Sequence, residues 1–268
     1  MNNAVSFMSA NYVARQVGYA MTGGWGQGDR AANAHFAPIE TFQKRFEEIV
    51  LAVRGLGFTA IDVWTSHISP TWATPAHLSI ARELLADNGL SVPSLGGWFG
   101  SNAEEFDATC RIAEALGAGV LGGSTSLLDK DRGRVVADLA AAGLKLGVEN
   151  HPEKTPAELR ARLGEPHELI GVTIDTGWFA TQGYDAAKAI EELADVLMYV
   201  HLKDVREAGS HDTCRYGEGV VPLRRCVEAL RRVGYANAVC VEHEPETFDP
   251  SEDVRVSKEL LEGWMAAA

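Results

Sequence analysis

A chain of 268 residues with 46% hydrophobic content can bury one sizeable core, and α/β barrels of this length commonly fold as a single domain. A net charge of −13 disfavours a nucleic-acid partner, whose phosphates need a basic face. No apolar run reaches the roughly 18 residues of a membrane span, and Met1-Asn2-Asn3-Ala4-Val5-Ser6 lacks the basic and apolar regions of a secretory signal, so a cytoplasmic protein is expected.

Cys110, Cys214, Cys226 and Cys240 have no CxxC spacing and read as reduced packing residues. Gln16–Met21 is the first candidate strand. The glycine-rich stretch 22–38 reads as a long connection, of the kind that often covers a site. Phe42, Phe46, Ile49, Val50 and Val53 then recur at helical spacing, and Gly55 and Gly57 end that helix. Thr59–Trp64 reads as a strand. Thr74-Pro75 opens a helix that runs to Asn88-Gly89. Ser91–Gly96 is a third strand, with Pro93 near its start. Ser101, with Glu104 three residues on, caps a helix ending at Gly117. Gly119–Gly122 is a short fourth strand, and Asp129–Ala142 a helix. Leu146–Asn150 is a fifth strand, and the capping box Thr155-Pro156-Ala157-Glu158 opens the next helix. Ile170–Asp175, Val196–Leu202 and Ala238–Val241 are strands six to eight, separated by helices over Asp185–Leu193 and Pro222–Val233. A last helix covers Asp253–Met265.

The strands are apolar without alternation, as in a buried parallel sheet. About eight strand–helix units in this length predict a (β/α)8 TIM barrel, one domain over residues 1–268. A doubly wound sheet would need a glycine-rich phosphate turn after its first strand. Gly24-Trp25-Gly26-Gln27-Gly28 lacks that context.

In such a barrel, function sits at the C-terminal strand ends. Glu149, Asp175, His201 and Glu242 fall there on four consecutive strands. A single polar residue at a strand end is most often a helix cap, but recurrence on four strands points to one shared metal site. Three carboxylates and an imidazole suit Mn²⁺ first, with Mg²⁺, Co²⁺ or Zn²⁺ as alternatives. Residues two apart share a side of a strand, so His151, Lys203 and Glu244 accompany these ligands. His151 and Lys203 are expected to line the site, whereas Glu244 reads equally well as a loop ion pair.

Several motifs add a resemblance. They are Val148-Glu149-Asn150-His151-Pro152, Ile174-Asp175-Thr176-Gly177, Val200-His201-Leu202-Lys203-Asp204, Tyr216-Gly217-Glu218-Gly219-Val220-Val221, Gly234-Tyr235 and Val241-Glu242-His243-Glu244. With these the chain resembles the sugar phosphate isomerase/epimerase family of xylose isomerase-like TIM barrels. The resemblance implies the same four ligands, with Glu149 and Glu242 also acting as an acid/base pair on a sugar or cyclitol through an enediolate. It also implies that Arg206 lies near substrate oxygens. Many relatives read Asp-Thr-Gly-His on the sixth strand, where this chain has Trp178. His151, as a third catalytic residue, or His67, as a substrate contact, would then supply the missing polar group. Trp25, Trp64, Trp98 and Trp178 could form an aromatic wall, with two of them expected in the pocket. Such a wall also suits the alternative activity on this scaffold, a lyase, dehydratase or deglycosidase acting on 3-oxo-sugars or 3-oxo-glycosides. Gly217-Glu218-Gly219 carries an acid where a phosphate would want donors, so an unphosphorylated small-molecule substrate is expected. A homo-oligomer is compatible with the sequence.

Overall fold

The computed structural model describes residues 1–267. Its first strand, β1, is Val5–Met8, not Gln16–Met21. A 3-10 helix over Ser9–Val17 follows, and Gly18 and Tyr19 then turn the chain at φ 62° and 58°. Positive φ is incompatible with a strand. The four-residue β1 is a strand because two neighbours hold it, β10 (Val239–Val241) on one side and β2 (Ala60–Trp64) on the other.

The stretch 22–38 is the second correction. It contains a helix, α1 (Trp25–Phe36). Its glycines carry packing information, for Gly28, Ala32 and Phe36 are the buried face at spacing i, i+4, i+8. A Cβ on Gly28 would stand 2.8 Å from the Val13 carbonyl oxygen and press on Met21. The indole Nε1 of Trp64 donates to Asp29 at 2.8 Å and that of Trp72 to Asn33 at 2.9 Å, pinning α1 to the barrel rim.

Beyond α1 the order is α2 (Ile39–Gly55), β2, α3 (Pro75–Asp87), β3 (Ser94–Trp98), α4 (Ala103–Leu116) and β4 (Val120–Ser124). β3 starts after Pro93, which has no N–H to give a ladder. Asn102, rather than Ser101, caps α4 by accepting from the Glu105 backbone N–H, and the Glu105 carboxylate accepts from Ser101 N–H. The predicted helix over Asp129–Ala142 is two, α5 (Leu127–Lys130) and α6 (Arg132–Ala142). Asp131 separates them and caps the second.

The second half runs β5 (Lys145–Glu149), α7 (Pro156–Leu163), β6 (Ile170–Asp175), α8 (Thr176–Thr181), α9 (Ala186–Glu192) and β7 (Leu197–Leu202). A small antiparallel pair follows, β8 (Asp204–Val205) with β9 (Thr213–Cys214). Then come α10 (Leu223–Arg232), β10 and α11 (Ser251–Ala266). Eight parallel strands close in the order β1-β10-β7-β6-β5-β4-β3-β2. This is the expected (β/α)8 barrel.

Most of the core lies between barrel and helices, with Phe42, Phe46, Ile49, Val50 and Val53 of α2 typical of it. The barrel interior is partly polar. Buried Asp62 accepts from Ser6 Oγ at 2.6 Å and from Tyr199 OH at 2.8 Å, and burial pushes its carboxyl up. Among the described residues no helix is long and apolar enough to cross a membrane.

Alanine normally favours a helix over glycine by about 1 kcal/mol. At position 28 the contact with Val13 should reverse the sign. Gly28→Ala is expected to lose about 1–3 kcal/mol in urea denaturation, and a stabilised variant would contradict this packing.

Candidate active site

Glu149 ends β5, Asp175 ends β6 opposite His201 on β7, and Glu242 follows Val241 at the end of β10. All four are buried. One ligand atom each from Glu149, His201 and Glu242 lies within 4.8 Å of the others, a spacing one cation can bridge. His201 Nδ1 is 2.6 Å from Glu149 Oε1 and 3.4 Å from Glu242 Oε2. Glu242 Oε2 makes no hydrogen bond. Asp175 stands beside this triad with its oxygens engaged. Its Oδ1 accepts from Trp178 N–H at 3.0 Å, and its Oδ2 meets Lys203 Nζ at 3.0 Å and His151 Nε2 at 3.5 Å.

Lys203 is the central counter-charge. Its Nζ also reaches Glu242 Oε1 at 2.8 Å and Glu244 Oε2 at 3.0 Å. Burial works against its charge, but Asp175, Glu242 and Glu244 hold its pKa well above the usual lysine value. Burial alone would raise Glu149, yet the charges of His151 and His201 hold it below the usual carboxylate range. Glu242 moves the other way. Burial raises it, Lys203 opposes, and Glu244 adds to the rise. Burial and neighbouring charges thus push the two glutamates in opposite directions.

Above this floor is a cavity of about 530 Å³, within the range of small-molecule sites. His151, Trp178 and Lys203 line it as expected. Three of the four tryptophans do so. Trp25 meets Trp64 edge-on at 5.5 Å, and Trp178 lies 4.3 Å from His151 and 5.0 Å from His211. Glu244 also faces the cavity, as does Glu246, which the sequence reading missed together with His211. They lie beyond the strand ends on loops and carry no spacing signal.

Three expected substrate contacts lie elsewhere. Trp98, the last residue of β3, is 50% exposed and outside the cavity lining. Arg206 pairs with Asp212 at 3.0 Å across the small hairpin, on the side opposite Val205, which lines the cavity. His67 is fully buried, bonded to Ser9 Oγ at 3.0 Å and edge-on to Phe36 at 4.9 Å.

Other motif residues hold backbone. Asn150 accepts from Asp175 N–H at 2.7 Å and donates to its carbonyl at 3.0 Å, locking β5 to β6. The Asp204 carboxylate accepts from the N–H groups of Gly217, Gly219 and Val221. The glycine loop is thus an anion cradle already filled by an internal carboxylate.

The model of the xylose isomerase-like TIM barrel family matches residues 50–266. This chain belongs to that family. L-ribulose-5-phosphate 3-epimerase UlaE of Escherichia coli is 34% identical to this barrel over 73 residues, which is 27% of the chain and 25% of that enzyme's length. A xylose isomerase-like barrel protein from Mycobacterium smegmatis, solved in complex with magnesium, superposes with a TM-score of 0.73 at 15% identity, covering 99% of this chain and 98% of that one. The 3-keto-D-glucoside 4-epimerase YcjR of E. coli superposes with a TM-score of 0.64 at 17% identity, over 81% and 94%. At these identities the superpositions establish the fold of this family member.

His67 supplies a pH test. Burial, with Arg15 and His35 adding to it, pushes its pKa from 6.5 down to about 3. The unfolded chain therefore binds the proton first. The stability is fully present above pH 6.5 and is lost as pH falls from 6.5 towards 3, at about 1.4 kcal/mol per pH unit. Between pH 7 and 5 the wild type should lose about 2 kcal/mol more than His67→Asn in urea denaturation. Equal losses would place His67 in water.

Proposed function

We propose that the protein is a divalent-metal-dependent sugar or cyclitol isomerase/epimerase that transfers a proton next to a carbonyl. The observation that carries this reading is the convergence of Glu149, His201 and Glu242 within 4.8 Å, with both glutamates lining the cavity and His201 buried behind them. Two carboxylates and an imidazole, one carboxylate oxygen being unpartnered, fit a hard dication, Mn²⁺ first. When bound, such a cation would polarise the substrate carbonyl and stabilise the negative charge that develops beside it. Glu149, Glu242 and His201 would hold it, with Asp175 the fourth expected ligand.

Glu149 and Glu242 flank the floor from β5 and β10. One takes the proton from the carbon beside the carbonyl. The other returns a proton to the opposite face for epimerisation, or to the neighbouring carbon for isomerisation. His151 braces Glu149 and Asp175 and presents its edge to the cavity. The aromatic walls of Trp25, Trp64 and Trp178 suit the flat faces of a sugar ring.

The substrate is uncharged in this reading. Lys203, the one lysine or arginine among the described residues lining the cavity, is spoken for by three carboxylates, and the glycine cradle is occupied by Asp204. The protein would thus differ from the phosphate-named relative. It would be a cytoplasmic small-molecule enzyme without a nucleic-acid partner. A second reading, β-elimination from 3-oxo-sugars or 3-oxo-glycosides, uses the same proton abstraction. The three-tryptophan wall favours it, having room for an apolar aglycone.

The test is a turnover screen of keto-sugars, inososes and 3-oxo-glucosides in D₂O with Mn²⁺, against an EDTA control. Deuterium entering beside the carbonyl without loss of water or aglycone supports the isomerase, and release of either supports the lyase. Glu149→Gln and Glu242→Gln should each lower kcat by about 10²–10⁴. Full turnover in Glu149→Gln, or after EDTA, would sink the reading. Unphosphorylated ketoses should be turned over with a higher kcat/KM than their phosphates, and the reverse order would remove the charge argument.

A further inference from the structure

Behind the site, two fully buried residues each carry a polar atom without a hydrogen-bond partner: Nε2 of His201 and Oγ1 of Thr173. Both border the space over Gly122 on β4. A Cβ there would stand 3.2 Å from Thr173 Oγ1, 3.2 Å from Ser94 Oγ and 3.5 Å from His201 Nε2. Ser94 Oγ makes a single bond, to the Leu95 carbonyl at 3.1 Å, which leaves its lone pairs free. Gly147 contributes as well, because a side chain on it would collide with the Thr173 hydroxyl. Strands β3, β4, β6 and β7 thus surround one spot with polar atoms, where folded proteins rarely leave such groups bare.

The chemistry of His201 says what the spot must do. Its Nδ1 faces Glu149 and Glu242. Nε2 carries a proton in the imidazolium, and also in the neutral tautomer that offers the Nδ1 lone pair to a cation. In both forms Nε2–H needs an acceptor, and no atom of the described residues supplies one. Metal-facing histidines normally have their other nitrogen fixed in this way.

We propose that Gly122 is the seat of one buried water that accepts from His201 Nε2–H and from the Thr173 hydroxyl and donates to Ser94 Oγ. A water with three polar partners is a typical buried water. Thr173, Ser94 and Gly122 are then positioning residues for the Nδ1 face of His201. The part of this inference that concerns the cation rests on the proposed function, while the water seat itself does not.

Gly122→Ala separates a water seat from a dry gap. Contacts of 3.2–3.5 Å leave a methyl room after shifts of tenths of an ångström, and alanine in place of a strand glycine otherwise tends to stabilise. If the water is there, the methyl displaces it and strands Nε2–H. The thermal midpoint of the metal-free protein should then fall, and the Kd for Mn²⁺ by titration calorimetry should rise 10–100-fold. Thr173→Val keeps the shape, removes one partner and should move both readouts the same way by less. A higher midpoint with unchanged Mn²⁺ affinity in Gly122→Ala would overturn the proposal. A lower midpoint in Gly122→Ala that Thr173→Val does not share would mark crowding by the methyl and overturn the water seat, whereas a fall in both, in a protein whose wild type binds no Mn²⁺, would uphold the water seat and overturn the metal reading.

Discussion

The ammonium of Lys203 is the interaction on which the catalytic end of the barrel depends. It lies within 3.0 Å of oxygens from Asp175, Glu242 and Glu244, and Glu149 stands across the same floor. Like charges about 4 Å apart repel by about 4 kcal/mol at the effective dielectric of a protein surface. A barrel that gathers several carboxylates must therefore place cations between them. Lys203 does this from just past the end of β7, His151 from just past β5 and His201 from within β7. The same arrangement leaves the Lys203 ammonium shared among three carboxylates.

Around that charge cluster, geometry is set by side chains that do no chemistry. Asn150 ties the end of β5 to the end of β6, and Thr176 Oγ1 bonds both N–H and carbonyl of Lys203. Asn11 accepts from His243 N–H and donates to the Val241 carbonyl, fixing the strand that presents Glu242. Asp204 folds the glycine loop around its own carboxylate. Family motifs such as Glu-Asn-His-Pro and His-Leu-Lys-Asp therefore interleave residues that face the cavity with residues that hold backbone. Glu149 and Asn150 are neighbours in sequence with unrelated tasks.

Much of the fold was legible because buried parallel strands are continuous apolar runs and helices bring their own caps. Ile170–Asp175 matches the observed β6, and Thr155 caps α7 by accepting from Glu158 N–H. The misses have physical causes. β1 is four residues whose pairing comes from strands far along the chain. α1 looked like a loop because its glycines are poor helix formers, although Gly28 is there for close approach to Val13. In the site, Glu149, Asp175 and Glu242 were legible because apolar runs end in them, and His151, Lys203 and Glu244 from period-two spacing. Trp98 ends β3 outside the cavity lining, and Arg206 and His67 were misplaced because a hairpin and a buried serine redirect them.

The sequence by itself determined the barrel, the strand ends that carry Glu149, Asp175, His201 and Glu242, and the acidic character that argues against nucleic acid, since these follow from periodicity, order and composition. Tertiary structure alone decided which of those side chains converge, that Lys203 is consumed by three carboxylates, and that Asp204 fills the cradle a phosphate would need. Those are distances between residues remote along the chain, and only the closure of the barrel brings them together.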